Sequence, residues 1–243
     1  MTVALIPDDA RHPVAVQSLV DGSLDGVILT TSRLNSTLPA EILTHGFPVV
    51  TVNREVKRSL VDSCAFANAW GAGELADFLV ARGHRRFAAV FGPSDTSTGR
   101  DRERGFRSGL GRHGLTLEPD LVWHDEFTFA AGATAATAIA TRTTRPTALF
   151  CSNDLVAIGA IDGARAAGLS VPGSLSIVGF DDIEMAAWRM TGLTTMRCDL
   201  RQMARRTAEL LMTRIRQPDI GRRRVVIRPA LAERTSHRDI APS

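Results

Sequence analysis

A single lysine, three unpaired cysteines and the lack of any long apolar run each close off a class of protein. The cysteines, Cys64, Cys151 and Cys198, are odd in number and far apart. That excludes a disulfide framework and points to a reducing compartment. Cys151 and Cys198 fall in apolar strand contexts, where a thiol acts as a small buried hydrophobe. No apolar stretch approaches a membrane span. The first residues carry no basic segment leading into an apolar core, so a signal peptide is not expected. The six histidines and the cysteines show no metal-ligand spacing, and no metal or cofactor is expected. There is no P-loop, no G-x-S-x-G and no complete dinucleotide fingerprint. The net charge of +3 and pI near 9.2 come almost wholly from arginine, since Lys57 is the only lysine. Without a recognition-helix pattern, the chain is not expected to read DNA bases by itself.

With 243 residues, 44% hydrophobic and 23% charged, the chain suffices for one large or two small soluble domains. Its most informative stretch is residues 149–182, which reads as strand, helix, strand. An apolar run over 147–151 breaks at Ser152-Asn153-Asp154, and Leu155, Val156, Ile158, Ile161 and Ala164 then follow a helical period. Gly168 closes the helix, and a second apolar run, 175–180, ends at Asp181-Asp182. Two parallel strands joined by a helix put their carboxyl ends on one sheet edge, where open α/β sheets bind ligands. If the two strands are neighbours, about 4.8 Å apart, Asn153 and Asp181 are expected to reach the same small molecule. A simpler role stands beside each: a helix cap for Asn153, with Asp154 as the alternative cap, and a turn aspartate for Asp181.

Strands are expected over residues 2–6, 26–29, 48–52, 61–66, 86–91, 121–123, 193–196 and 224–227, besides the two just described. Helices are expected over 10–20, 38–44, 69–82, after the polar loop 92–99, over 130–140 and over 200–215. This alternation predicts an α/β class with parallel sheets. The arginine run 222–224 could touch phosphate, but a solvated turn before a strand is the preferred reading.

Eight phrases, in order, resemble the LacI/GalR family of transcription regulators, specifically its effector-binding core. They are DGVIL (25–29), FPVVTVNR (47–54), GHRRFAAVFG (83–92), RERGF (102–106), ALFCSNDLVAIGA (148–160), VPGSLSIVGFDD (171–182), LTTM (193–196) and ERTS (233–236). The resemblance implies a periplasmic-binding-protein-like type I fold: two doubly wound parallel-sheet subdomains with a ligand cleft between them. The subdomains would be 1–82 plus 198–226 and 83–197 plus 227–243. It also implies a cytoplasmic, usually dimeric regulator that is not an enzyme, binds a small effector such as a sugar, and touches DNA through a helix-turn-helix headpiece absent from this chain. The chain begins at what matches the second strand of the family's first subdomain, so that subdomain is expected to be N-terminally truncated. The first strand is interior to the family's sheet, so unpaired backbone groups and an uncovered face are expected there.

Carried onto this sequence, the resemblance makes Asn153 and Asp181 ligand contacts and adds Arg102, whose planar fork of donors suits vicinal hydroxyls or an anion. The surrounding Arg100, Asp101, Glu103, Arg104 and Arg107 also allow Arg102 a place on a solvated charged helix. Phe127 becomes an aromatic platform, with a core position as its alternative. Thr96, Thr98 and Asn53 follow as lesser contacts, and Asn68 as a further one. The acidic residue that family members often place before Asn68 is Ala67 here. A transport-associated sugar-binding protein of the same fold is the alternative function, and an enzyme using His124 with Asp125 or Glu126 is a third.

Overall fold

In the computed structural model, residues 2–7, 24–57 and 60–241 are described, and they form two units, each with its own sheet. The helix expected over 10–20 lies outside the described residues. The first unit comprises the described parts of 1–67, 95–98 and 199–227; the second comprises 68–94, 99–198 and 228–241. The helix Asn68–Ala81 thus groups by contact with the second unit, whereas the sequence put the first crossing near Arg82.

The first unit's sheet is all parallel, in the order β1 (Val3–Ile6), β2 (Gly26–Leu29), β3 (Val49–Val52), β4 (Asp62–Phe66), β10 (Arg224–Ile227). Helix α1 (Leu38–Thr44) packs Leu38 and Ile42 on Val27, Leu29 and Val49. Helix α6 (Leu200–Arg216) lies against β2, β3 and β4 and buries Met203, Thr207, Leu210 and Leu211, a one-sided helical stripe. Asp199 caps it, accepting from the Gln202 N–H at 2.8 Å. The gap expected beside β2 is absent. β1 pairs with it directly, Val3 opposite Gly26 through Ile6 opposite Leu29, so the sheet is hydrogen-bonded without a break from β1 to β10.

The arginine run 222–224 is not a solvated turn. Arg222 Nε donates to the Val61 carbonyl, Arg223 bonds Asp62 through both its backbone N–H and its side chain, and Arg224 grips Glu55 at 2.6 and 2.8 Å. Asp62 is fully buried and also receives Arg214 Nη2 at 2.9 Å. Burial pushes its carboxyl up, but the bonds from Arg214 and Arg223 outweigh that and hold it below the usual aspartate value. These contacts fix the entrance of β10 against that of β4.

The second unit's sheet runs β11 (Ala230–Ala232), β9 (Thr194–Arg197), β8 (Ser176–Asp181), β7 (Ala148–Cys151), β5 (Phe87–Phe91), β6 (Val122–His124). All neighbours are parallel except β11, a short antiparallel edge strand that no sequence pattern announced. Chain order reverses around β5, with β6 on one side and β7 on the other. Such a switch point is where α/β sheets take ligands. The central strands β5 and β7 are buried along their whole length, as expected of strands covered on both faces. Helices α4 (Phe129–Ala140) and α5 (Asp154–Ala166) pack together on one face through Ala135, Ala136, Ile139, Val156 and Ala160. From α3 (Ser97–Arg112), Phe106 stacks on Phe150 with ring centroids 4.3 Å apart.

The ERTS phrase serves as a clasp. Ser236 Oγ donates to the Ile177 carbonyl and accepts the Thr194 N–H, while Arg234 reaches Asp182 at 2.6 Å. His84, buried before β5, bonds Thr147 and the Arg238 carbonyl, and burial lowers its pKa to about 4.

Candidate functional site

The site is built where β7 and β8 run out. Past Cys151 the chain reaches Ser152 and then Asn153, whose extended backbone and side-chain oxygen, accepting from the Val156 N–H at 2.9 Å, cap α5. Asn153 is therefore the cap, and its amide N–H₂ remains as a donor group. Asp154, the alternative cap in the sequence reading, turns inward and is fully buried. β8 ends on two consecutive non-glycine residues with positive φ, Asp181 at 118° and Asp182 at 60°. Such conformations persist where the surroundings hold them, and they concentrate at ligand sites.

Arg102 draws the group together. It lies on α3, only 3% exposed, with each nitrogen engaged. Nε donates to Asn68 Oδ1 at 2.8 Å, Nη1 to the Ser152 carbonyl at 2.6 Å and Nη2 to Asp181 Oδ1 at 2.7 Å. The Phe180 ring lies 3.9 Å from the guanidinium carbon, a cation–π contact. Three of the five guanidinium N–H groups are thereby committed, leaving one on each terminal nitrogen. The Asp181 side chain is 34% exposed and keeps its second oxygen. A carboxylate beside a guanidinium offers acceptor and donor side by side, the pairing that two neighbouring hydroxyls require.

The two aspartates of the VGFDD phrase have separate tasks. Asp181 meets Arg102, whereas Asp182 is gripped by Arg197 and Arg234, both at 2.6 Å. Burial raises the Asp182 carboxyl, but these arginines dominate and hold it low. Among the described residues Asp154 has no cationic partner. Its Oδ1 accepts from Thr195 Oγ1 at 2.5 Å and its Oδ2 from the Ile183 N–H at 2.9 Å. Burial, with the charges of Asp181 and Asp182 adding to it, pushes its pKa up to about 7 against the Thr195 bond.

Phe127 is half-buried and stands over Gly92 at the end of β5, where a Cβ would fall inside its ring. Arg102, Asp181, Asn153 and Phe127 all belong to the second unit, beside its switch point. Asn53, Thr96 and Thr98 belong to the first. There Asn53 adopts φ 65° and donates its N–H to Cys64, and the buried Thr98 hydroxyl bonds Thr96 at 3.3 Å. His124 pairs with Glu103 at 2.8 Å rather than with Asp125 or Glu126. Among the described residues no group of histidine, cysteine or acidic side chains could hold a metal, and no helix is long and apolar enough to cross a membrane.

Sequence reasoning missed the Asn68–Arg102 bond, the Phe180 ring and the inward turn of Asp154. Only the S-N-D spacing hinted at the last, by offering two candidate caps for one helix.

Comparison with known proteins identifies the family and the fold. The profile of the periplasmic binding protein-like domain matches residues 76–237, well over half of the chain. The ribose operon repressor of Escherichia coli is 29% identical over 232 residues, spanning 94% of this chain and 70% of the repressor. The repressor PurR of Aliivibrio salmonicida is 28% identical, over 94% of this chain and 68% of its own length. These relatives are transcriptional repressors, not enzymes. Among solved structures, a LacI-family regulatory protein from Chloroflexus aggregans superposes with TM-score 0.86 at 26% identity, covering 95% of this chain and 83% of that one. The regulator CelR, in complex with cellobiose, gives 0.84 at 29% identity over 92% and 69%. The chain belongs to the LacI/GalR family of transcription regulators, of which it carries the periplasmic-binding-protein-like effector-binding core.

Proposed function

We propose that the group around Arg102 and Asp181 binds a sugar or sugar derivative, and that in the intact regulator this binding controls affinity for DNA. The observation that carries the reading is the buried guanidinium of Arg102, oriented by Asn68 and Ser152 and presented beside the half-open carboxylate of Asp181. An arginine this deeply buried and this fully oriented costs desolvation. A preorganised polar pair repays that cost when it recognises hydroxyls without first rearranging. Phe127 supplies an apolar ring face nearby, and Asn153 an amide donor. The names of the relatives point the same way, toward ribose for one repressor and cellobiose for one solved regulator. The reading uses residues of the second unit alone.

A ligand shifts a regulator only through unequal affinity for its two states, and the coupling is reciprocal. Homodimerisation belongs to the same proposal. It is supported by the apolar side chains that the second unit leaves exposed, Trp188 at 48% and Met190 at 70%.

A thermal-shift panel of pentoses, hexoses and disaccharides, D-ribose and cellobiose included, tests the reading. A sugar at a hundred times its Kd adds about 2.7 kcal/mol, which raises the melting temperature by roughly 5–10 °C in a chain of this size. The Asp181→Ala variant is expected to show no rise. If the whole panel leaves the wild type unmoved, the sugar reading falls. If Asp181→Ala responds like the wild type, the site assignment falls.

A further inference from the structure

We infer that Asp154 is a positioning residue for this site: a buried carboxyl group that braces the strand-end turn carrying Asp181 and links ligand binding to a proton. The inference rests on the ligand reading above and goes beyond it by assigning a regulator to the site.

The geometry comes first. The chain turns at Asp181 and Asp182 with two positive φ angles in succession. In L-residues such conformations are disfavoured and persist only where the surroundings hold them. Something must hold that turn from both ends. On its outgoing side the Ile183 N–H donates to Asp154 Oδ2, and Thr195 of the neighbouring strand donates to Oδ1. On its incoming side β8 carries Gly179, where any Cβ would fall on the Asp154 carboxylate. The strand is thus shaped to let this acid in. Asp181 itself receives Arg102 and offers its carbonyl to the Cys198 N–H at 3.1 Å. Asp154 therefore touches the turn without touching the space in front of Asp181.

Among the described residues no cation neutralises it. The groups facing it are the Cys151 thiol from β7, the carboxylates of Asp181 and Asp182 from β8, the Thr195 hydroxyl from β9 and the Cys198 thiol beyond it. Arg102 is committed to Asp181, and Arg197 and Arg234 to Asp182. A carboxyl pushed up to about 7 changes charge near neutrality. The neutral acid donates to Thr195 and still accepts from Ile183, so the brace survives protonation. A sugar covering Asp181 displaces the water that screens that carboxylate, so its negative charge acts more strongly on the buried Asp154 and favours the neutral form. Binding then takes up part of a proton, and affinity falls as pH rises.

The test has two arms on the purified chain. Amide exchange across residues 181–184, corrected for intrinsic rates, needs no ligand. Asp154→Ala is expected to exchange at least about tenfold faster than wild type. Asp154→Asn, which keeps one acceptor and one donor, is expected to stay close to it. Unchanged protection in Asp154→Ala overturns the brace; if that variant does not fold, faster exchange in Thr195→Val carries the test in its place. In the second arm, D-ribose and cellobiose binding is titrated at pH 6 and pH 8. Wild-type affinity is expected to fall about threefold, and Asp154→Asn affinity to stay level. An equal fall in both proteins overturns the proton linkage, because a merely structural acid would not move the pH profile. Accelerated exchange in Asp154→Ala without binding of either sugar supports the brace and counts against the sugar reading instead.

Discussion

Asp62 stands at the entrance of β4 and Asp181 at the exit of β8, and each meets an arginine from a distant helix. Asp62 takes Arg214 and Arg223 together with the Arg223 backbone N–H, is 0% exposed, and has hydrogen bonds on both oxygens. Asp181 takes Arg102 on one oxygen, is one-third exposed and sits on a strained backbone. The first is saturated and can only hold the fold. The second has spare valence, and its arginine is oriented by third parties. Position in the sheet matches the division of labour. Strand entrances in both units carry closed networks, Asp62 in one and His84 in the other. The carboxyl ends in the second unit carry the open one, beside a reversal of strand order that the described strands of the first unit do not show. The count of filled hydrogen-bonding positions, not the charge, is what sets the proposed site at Asp181 apart from the closed network at Asp62.

The contrast is sharpest under substitution. Asp62→Ala strands two arginines without their shared anion, and a loss of roughly 3–5 kcal/mol in urea unfolding is expected. Any sugar affinity of the protein that remains folded should be unchanged; a weakened affinity would mean that the two centres are coupled.

His84 gives the second-largest effect and isolates the second unit's scaffold from its site. Its folded pKa, near 4, lies below the ordinary histidine value of 6.5. The native state therefore binds fewer protons between those values. The stability this confers is complete above pH 6.5 and is lost as pH falls toward 4, by about 2–3 kcal/mol. Urea unfolding at several pH values, repeated with His84→Gln, checks it: the variant's profile should be flatter in that window.

Arg102→Lys keeps the charge and discards the fork. A tenfold or greater loss of sugar affinity, about 1.4 kcal/mol, is expected, with a smaller stability loss than in Asp62→Ala. Calorimetric titration and urea unfolding on the same variant separate the two. Smallest is the difference between Asp181→Gly and Asp181→Ala. Both lose binding, but glycine accepts φ 118° without strain, so Asp181→Gly should be the more stable by about 1 kcal/mol. Equal stability would show that the backbone at Asp181 is unstrained.

The sequence alone determined the α/β alternation, most element boundaries to within a few residues, and the placing of Asn153 and Asp181 at the exits of two parallel strands, whose pairing the structure supplied. These follow from periodicity, caps and turn glycines, which depend on residues three or four apart. Arg102 and Phe127 became legible only through the family phrases, since a charged helix surrounds one and a plain core position would explain the other.

Tertiary structure alone decided the partners. Arg102 and Asp181 are 79 residues apart in the chain, Arg214 and Asp62 152, and Arg223 and Asp62 161. No local pattern distinguishes a solvated arginine from one that closes a buried network across such a separation, which is why residues 222–224 read as a free turn. Asp154 stayed an alternative cap for the same reason. Local geometry admits either Asn153 or Asp154 as the cap. The choice falls to Ile183, just past the end of β8, and Thr195 of β9, neither of which the sequence places beside the aspartate.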